Sequence, residues 1–364
     1  MSGIYIHIPY CKSKCGYCSF YSVTDLNTMP QFLNALEIEI MHRAKDFSLK
    51  QINTVYFGGG TPSLLPKRTM SHIMNLIRKQ FSVCEAAEIT VEVNPESLEE
   101  AFLTECVAAG VNRISLGVQT HEDKILKQIG RTHCFQNVMR AFDLIESYGI
   151  QNVNIDAILG LPTQTMESML QTLCYVCNKE VVKHISLYAL TIDEGTVFYS
   201  NKISTDADFQ ADLYESCVTY LERYGFYRYE ISNFSKKNFE SKHNQKYWTG
   251  EEYLGLGVAA HSLIGNIRSE NTCDVAAYIV NPLTQKTHTL TQREQIEETI
   301  MLGLRTSKGL DLQALKEKGC DILSSKSKEI NELKQIGLIM HNNNHLFLAN
   351  HAYYLLNSII VKLI

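Results

Sequence analysis

Three closely spaced cysteines near the start of the chain limit its possible folds more than any other feature. Cys11, Cys15 and Cys18 are separated by three residues and then by two. This spacing allows one short loop to place three thiolates around one face of a cube, and thiolates are the usual ligands of iron–sulfur clusters. We therefore predict that they bind three irons of a [4Fe–4S] cluster and leave the fourth iron open to a small molecule.

Zinc binding and three unrelated thiols are the alternatives to a cluster. A structural zinc site normally takes four protein ligands, and the next cysteine after Cys18 is Cys84. The eleven cysteines are scattered and odd in number, which favours a reducing cytoplasm over a disulfide framework. An exposed iron–sulfur cluster would need the same compartment, so the predicted location is cytoplasmic.

The length and net charge of the chain limit its domain organisation and the partners that it can bind. A chain of 364 residues suits one barrel-sized domain and a smaller one. The net charge of −5 shows no excess of positive charge of the kind that favours nucleic acid binding. We expect no signal peptide, and no apolar run approaches the roughly 18 residues that cross a membrane. Any membrane contact is therefore expected to be peripheral and to depend on partner proteins.

Strand-like and helix-like segments alternate through the first 200 residues. The predicted strands cover residues 3–8, 54–57, 88–93, 112–118, 152–159 and 183–189. Such alternation favours βαβ units and a parallel sheet. About six units fit before residue 200, which is fewer than the eight of a closed barrel. The predicted fold class is therefore α/β, an open, partial TIM-like barrel.

The chain is predicted to divide into three parts. Residues 1–200 form the partial barrel, residues 201–285 form a connecting region, and residues 286–364 form a smaller α+β module. In the last part, helical patterns cover about 291–305, 311–318 and 325–336, a hairpin is predicted at 338–348, and a helix closes the chain. Helices followed by a two-stranded wing indicate a winged-helix-like module.

Polar residues follow several of the predicted strands. Ligands gather at the carboxyl ends of strands in such sheets. The glycine run Gly58–Gly60 would let backbone groups approach a ligand closely, although a glycine triplet is usually only a turn. Glu92 lies in an otherwise apolar strand and needs a partner, which could be a ligand or a salt bridge within the barrel.

The cysteine spacing and the run Gly58-Gly59-Gly60-Thr61-Pro62 together resemble radical S-adenosylmethionine (SAM) proteins, in which SAM chelates the open iron. The resemblance implies that the glycines cradle the SAM amino group and that Gln119 and Asp156 bond the ribose hydroxyls. Arg131 would hold the methionine carboxylate, although a lone arginine is more often a surface charge. The implied SAM contacts are Tyr5, Gly59, Gly60, Thr61, Glu92, Gln119, Arg131 and Asp156.

Longer stretches resemble the oxygen-independent coproporphyrinogen III dehydrogenase family. They include Tyr5–Cys11, Glu92–Pro95, Gly117–Gln119 and Asn154–Asp156. Two departures favour the HemW-type heme chaperone branch of that family: Phe20 stands where the dehydrogenases carry another cysteine, and only four residues precede Tyr5.

That branch also bears a His-Asn-x-x-Tyr-Trp motif, present here as His243-Asn244-x-x-Tyr247-Trp248. Neutral imidazole is a common axial ligand of heme iron, and Tyr247 and the only tryptophan, Trp248, could pack against a flat porphyrin. His243, Tyr247 and Trp248 are therefore the candidate heme residues. The alternative is ordinary packing of a histidine beside two aromatic side chains.

Two functions of different classes follow from this resemblance. The first is a heme chaperone that binds a [4Fe–4S] cluster, SAM and heme, receives electrons from a donor, and delivers heme to apoproteins such as respiratory membrane enzymes. The second is an enzyme, coproporphyrinogen III dehydrogenase, which removes two propionate carboxyl groups by radical chemistry. Phe20, the short amino terminus and the His-Asn-x-x-Tyr-Trp motif favour the chaperone, and no catalytic residue is assigned.

Overall fold

The computed structural model describes residues 1–47 and 50–364 of the chain. Fifteen strands are present in this part. In chain order they are β1 Ser2–Ile8, β2 Gln51–Gly59, β3 Ser82–Val93, β4 Arg113–Gln119, β5 Val153–Leu159, β6 Val182–Ala189, β7 Tyr227–Arg228, β8 Asn233–Ser235, β9 Tyr253–Leu256, β10 His261–Ile264, β11 Ile267–Asn271, β12 Gln285–Thr289, β13 Leu310–Asp311, β14 Ile339–His341 and β15 His345–Leu348.

Fifteen α-helices lie between and after these strands in the same part of the chain. They are α1 Met29–Phe47, α2 Thr69–Gln80, α3 Glu100–Ala108, α4 Asp123–Gln128, α5 Phe135–Ser147, α6 Met166–Cys177, α7 Val197–Ser200, α8 Ala207–Arg223, α9 Lys242–Thr249, α10 Val275–Val280, α11 Gln292–Gly303, α12 Leu312–Glu317, α13 Ile322–Ser325, α14 Ser327–Gln335 and α15 Leu356–Leu363.

Strands β1 to β6 lie side by side in sequence order and are parallel. The sheet continues beyond both ends of this set and has 12 strands in all, from β12 at one edge to β7 at the other. Its two edges do not pair, so the barrel is open. The prediction of an α/β, six-unit partial barrel is confirmed.

Strand β1 lies inside the sheet, and its side chains point alternately to the two faces of the sheet. Ile4, Ile6 and Ile8 are fully buried and belong to the main apolar core, while Tyr5 and His7 lie on the other face of the same strand. Helix α1 covers the apolar face with residues such as Phe32 and Leu36. The opposite face is therefore left to line the barrel interior.

Residues 201–285 extend the sheet at both edges. Strand β9 pairs in parallel with β1 on one side, and β8 pairs antiparallel with β6 on the other. Helix α9 carries the His-Asn-x-x-Tyr-Trp motif and is capped at its start by the hydroxyl of the preceding Ser241. The division of the chain at residues 200 and 285 stays a prediction.

The last 75 residues form a module with its own apolar core. Its three-stranded antiparallel sheet has the order β13-β15-β14, and β14 and β15 are the predicted hairpin. Helices α11, α14 and α15 bury Ile300, Leu333 and Ile360 against it. Among the described residues, no helix is both long and apolar enough to cross a bilayer.

Candidate functional site

A cavity of about 680 Å³ opens at the carboxyl ends of the parallel strands. Cys11, Cys15 and Cys18 all line it. Six of the eight predicted SAM residues line it as well: Gly59, Gly60, Glu92, Gln119, Arg131 and Asp156. Residues from six separate segments of the sequence therefore converge on one site, which sequence spacing alone could not establish.

The cluster loop, residues 11–18, is held on both sides by backbone hydrogen bonds. The amide of Cys11 donates to the carbonyl of Val23 (3.0 Å) and that of Gly16 to the carbonyl of Ile129 (3.0 Å). The amide of Phe198 donates in turn to the Gly16 carbonyl (2.9 Å). These bonds fix the loop before any metal binds, so less ordering is required of the cysteines.

The glycine run packs tightly against the start of the cluster loop. A Cβ on Gly60 would lie 2.6 Å from the carbonyl oxygen of Tyr10, and the Gly60 amide donates to the Ile8 carbonyl (2.8 Å). Gly59 adopts φ of +105°, which favours glycine. The glycines are therefore required by this close approach of backbone to backbone, in addition to any contact with a ligand.

Thr61 lies just outside the main cavity but touches the cluster loop. Its hydroxyl donates to the Sγ of Cys11 (3.5 Å) and accepts from the Nδ2 of Asn94 (3.0 Å). Hydrogen bonds to a cluster sulfur ligand tune the cluster. In this structure Thr61 is thus positioned beside a cysteine rather than in the cavity lining.

Glu92 projects into the cavity from β3. Its two carboxylate oxygens accept from the Tyr56 hydroxyl (2.8 Å) and the Gly59 amide (3.0 Å). Burial, and then the nearby Asp156 carboxylate, raise the pKa of Glu92 to about 7. Neutral donors, rather than the salt bridge considered from the sequence, therefore hold this carboxylate.

Gln119 ends β4, Asp156 lies in the middle of the neighbouring strand β5, and both line the cavity. Asp156 accepts from the Ser115 hydroxyl (3.0 Å) and the Asn154 amide (2.9 Å), and burial raises its pKa. Gln119 is buried at a register shift between β4 and β5 and has φ of 64°. Left-handed backbone at a residue other than glycine is strained and clusters at functional sites.

Arg131 joins the predicted SAM residues to the cluster loop. Its Nε and Nη2 donate to the Tyr17 hydroxyl (3.2 and 2.9 Å), and its Nη1 donates to the Oδ1 of Asn94 (2.7 Å). The Asn94 side chain caps no helix and accepts this bond instead. Tyr17 and Asn94 are therefore site residues that sequence reasoning missed.

Arg113 is a further cavity residue that the sequence did not indicate. It is 1% exposed, and within residues 1–47 and 50–364 its side chain makes no hydrogen bond or ion pair within the usual distances. Its charge lowers the pKa of Glu92 and of Asp156, against the larger effect of their burial. Arg113 therefore offsets part of the negative charge in the site.

Tyr5 lies inside the barrel but does not line the cavity. Its hydroxyl shares a hydrogen bond with Nδ1 of His7 (3.1 Å), whose Nε2 donates to the Tyr21 carbonyl (2.9 Å). Burial lowers the pKa of His7 to about 4, so the ring is neutral at pH 7. Contact between Tyr5 and SAM stays a prediction.

His243 lies near the amino ends of the strands, on the far side of the barrel from the cysteines. It is 1% exposed, and its two ring nitrogens share hydrogen bonds with the Thr54 hydroxyl (2.8 Å) and the Tyr247 hydroxyl (2.9 Å). Burial, and then Lys246, lower its pKa to about 3. Helix α9 thus closes the bottom of the barrel, and only Asn244 of the motif lines the cavity.

Tyr247 and Trp248 lie on the same helix. The Tyr247 ring packs edge-on against His243 and Tyr253. Among the described residues, no hydrogen-bond acceptor meets the buried Nε1 of Trp248. The assignment of His243, Tyr247 and Trp248 to heme stays a prediction, and axial ligation by His243 would require one of its two hydrogen bonds to break.

Comparison with known proteins identifies the family. Residues 5–175 match the Radical SAM superfamily and residues 290–355 match the HemN C-terminal domain. The chain is 34% identical over 374 residues to Heme chaperone HemW of Bacillus subtilis, with 99% of this chain and 98% of that one covered. The chain belongs to the HemW family of radical SAM proteins. Heme chaperone HemW of Lactococcus lactis is 33% identical over 367 residues, with 98% and 96% covered.

A solved structure supports the fold of this HemW-family chain. Coproporphyrinogen III oxidase (HemN) from Escherichia coli superposes with a TM-score of 0.86 at 24% identity, covering 99% of this chain and 89% of that one. The radical SAM barrel with a C-terminal module is therefore confirmed.

Membership of the radical SAM superfamily implies a [4Fe–4S] cluster and SAM as cofactors. The cavity fits both, because three thiols, the carboxylates of Glu92 and Asp156, and two guanidinium groups face the same space. When bound, the cluster and SAM supply one-electron chemistry. The HemW-family residues described above hold the cluster loop and keep the polar groups in place.

Proposed function

We propose that this chain is a cytoplasmic heme chaperone that uses a cluster on Cys11, Cys15 and Cys18, binds SAM in the cavity, and delivers heme to acceptor proteins such as respiratory membrane enzymes. One observation carries this proposal. Two relatives named heme chaperones match over 98–99% of this chain at 33–34% identity. Contact with a membrane would come only through the acceptor.

The proposed SAM site consists of the six cavity residues with Tyr5 and Thr61 beside them. Glu92 and Asp156 offer buried oxygen acceptors for ammonium or hydroxyl groups, since each ionised carboxylate can accept several hydrogen bonds. Arg131 can bind a carboxylate in a bidentate manner only if it exchanges or shares its bonds to Tyr17. SAM binding is therefore expected to be coupled to the position of the cluster loop.

Heme transfer tests the proposed function directly. The anaerobically reconstituted protein is loaded with heme, desalted, and mixed with the heme-free form of a purified respiratory cytochrome subunit, whose absorbance reports uptake. Heme-loaded serum albumin is the control for passive release. We expect transfer that is faster than from albumin.

A parallel assay tests the enzyme as the alternative function. The same reduced protein is supplied with coproporphyrinogen III, SAM and an electron acceptor. Formation of protoporphyrinogen together with transfer no faster than from albumin would replace the chaperone by the dehydrogenase.

A further inference from the structure

Tyrosines cover the side of the cavity that the predicted SAM residues leave unlined. Tyr188 is the next-to-last residue of β6, and Tyr214 lies on α8. Tyr353 and Tyr354 lie in the 3₁₀ segment Asn350–Leu355 that precedes α15. We call these four residues the aromatic wall. Both the barrel and the C-terminal module contribute to it, so it spans the joint between them.

Part of the aromatic wall is accessible from the open cavity. Tyr188 is 43% exposed and Tyr354 is 40% exposed, and Phe20, which lines the same cavity, is 67% exposed. Single exposed apolar residues are common on protein surfaces, but several around one concave opening mark a binding site. The mouth is therefore suited to a ligand with a large apolar face.

The deeper part of the aromatic wall is rigid. The Tyr214 hydroxyl donates to the Ile231 carbonyl (2.6 Å), and the guanidinium carbon of Arg228 lies 3.6 Å from the centre of the Tyr353 ring. The rings of Tyr214 and Tyr354 meet edge to face at 5.8 Å. Because neighbouring groups already fix these rings, little ordering cost remains for a ligand that packs on them.

We propose that the macrocycle of heme packs against the aromatic wall and Phe20, at the mouth of the cavity. This proposal rests on the proposed function and adds the place where the cargo binds. A flat, largely apolar ring matches the aromatic surface, and Lys14, which is exposed and lines the same cavity, supplies a cation for a propionate.

This location differs from that of His243. The aromatic wall lies at the carboxyl ends of the strands, whereas His243 contacts Thr54 near their amino ends and is closed off from the cavity mouth. Heme at the aromatic wall would lie beside the cluster and SAM, so that all three could influence one another.

The test compares heme affinities of holoprotein variants. Tyr188→Ala and Tyr354→Ala each remove one ring from the aromatic wall. Tyr175→Ala is a matched control, since Tyr175 is 41% exposed on α6 and lies outside the cavity lining. Each protein is reconstituted with its cluster, checked for SAM binding, and titrated with ferric heme and with metal-free protoporphyrin IX. The metal-free ring reports packing without iron ligation.

We expect each wall variant to weaken binding of both rings by about tenfold, which corresponds to the loss of one well-packed aromatic contact. Tyr175→Ala should bind both rings as the wild type does, and SAM affinity should be unchanged in Tyr354→Ala and Tyr175→Ala. Unchanged heme and porphyrin affinity in both wall variants would overturn the proposal while leaving the heme chaperone function intact.

Two other results would also overturn it. If wall variants bind heme normally but transfer it slowly, the aromatic wall binds the acceptor protein instead. If the wild type binds neither ring, the heme chaperone function fails together with the binding site that rests on it.

Discussion

The guanidinium of Arg131 donates two hydrogen bonds to the hydroxyl of Tyr17, from Nε at 3.2 Å and from Nη2 at 2.9 Å. Tyr17 lies between Cys15 and Cys18, and Arg131 lies more than a hundred residues later in the chain. A predicted SAM residue is thus bonded to the loop that carries the predicted cluster ligands. The two predicted cofactor sites are therefore joined by one set of hydrogen bonds.

Removing the Tyr17 hydroxyl should weaken this support. Tyr17→Phe leaves the buried Arg131 guanidinium with Asn94 as its remaining partner, and hydrogen bonds to charged groups contribute about 1.5–3 kcal/mol. We expect a loss of that size in the free energy of unfolding, measured by denaturant, with slower cluster reconstitution. Tyr199→Phe, on the exposed Tyr199 of α7, is the control. Equal stability of the two variants would contradict the role of Tyr17.

Each cluster cysteine should be required for iron binding. One thiolate is removed from the cavity by each of the variants Cys11→Ser, Cys15→Ser and Cys18→Ser. A full cluster holds about four irons per chain, and we expect each reconstituted variant to hold far fewer. Cys273→Ser changes an exposed thiol outside the cavity lining and should keep the wild-type content. Iron analysis after desalting measures this, and a full cluster in any of the first three variants would remove that cysteine from the ligand set.

Much of the barrel could be predicted from the sequence because its strands carry unbroken apolar faces. Each of the six parallel strands was predicted within its observed range or one residue from it, because residues such as Ile4, Ile6 and Ile8 alternate with polar ones. Strands β2 and β3 begin three and six residues earlier than predicted. Strands β7 and β8 are only two and three residues long, and every residue of β12 except the first is exposed. Their existence depends on pairing with a neighbour, which no local pattern encodes.

The candidate site was predictable only in part, for a related reason. Glycines and carboxylates near the ends of predicted strands could be assigned to the site from their position alone, because parallel strands bring their carboxyl ends together. The contact between Arg131 and Tyr17 links distant segments, and Arg113 sits at the start of a strand, where no rule predicts a ligand contact. The sequence also could not show that His243 is enclosed beneath the barrel.

Affinity for SAM should rise with pH around neutrality. Burial and Asp156 raise the pKa of Glu92 to about 7, so the carboxyl is largely protonated below that pH, and its ionised form is the stronger acceptor for groups of SAM. We expect affinity to increase between pH 6 and 7, by at most tenfold per pH unit, and to level off above pH 8. Equilibrium binding of SAM across this range is the measurement.

Glu92→Gln supplies the control for this pH dependence. The amide cannot titrate, so this variant should bind SAM more weakly and with little change between pH 6 and 8. A wild-type profile that is as flat as that of the variant would show that Glu92 does not bind SAM in its ionised form.

His243→Ala should destabilise the protein even without heme. The substitution leaves a cavity beneath the barrel and removes the hydrogen-bond partner of Thr54 and Tyr247. Large-to-small changes at buried sites cost about 2–5 kcal/mol. Denaturant unfolding of the heme-free protein measures this loss. A variant as stable as the wild type, combined with lost heme binding, would instead support His243 as the iron ligand.

A heme titration of the anaerobically reconstituted protein, followed by optical absorbance in the presence of SAM, tests the central claim most directly. The account predicts saturable, near-stoichiometric binding by protein that retains its cluster. Absence of saturable binding by protein that holds both the cluster and SAM would contradict a heme chaperone.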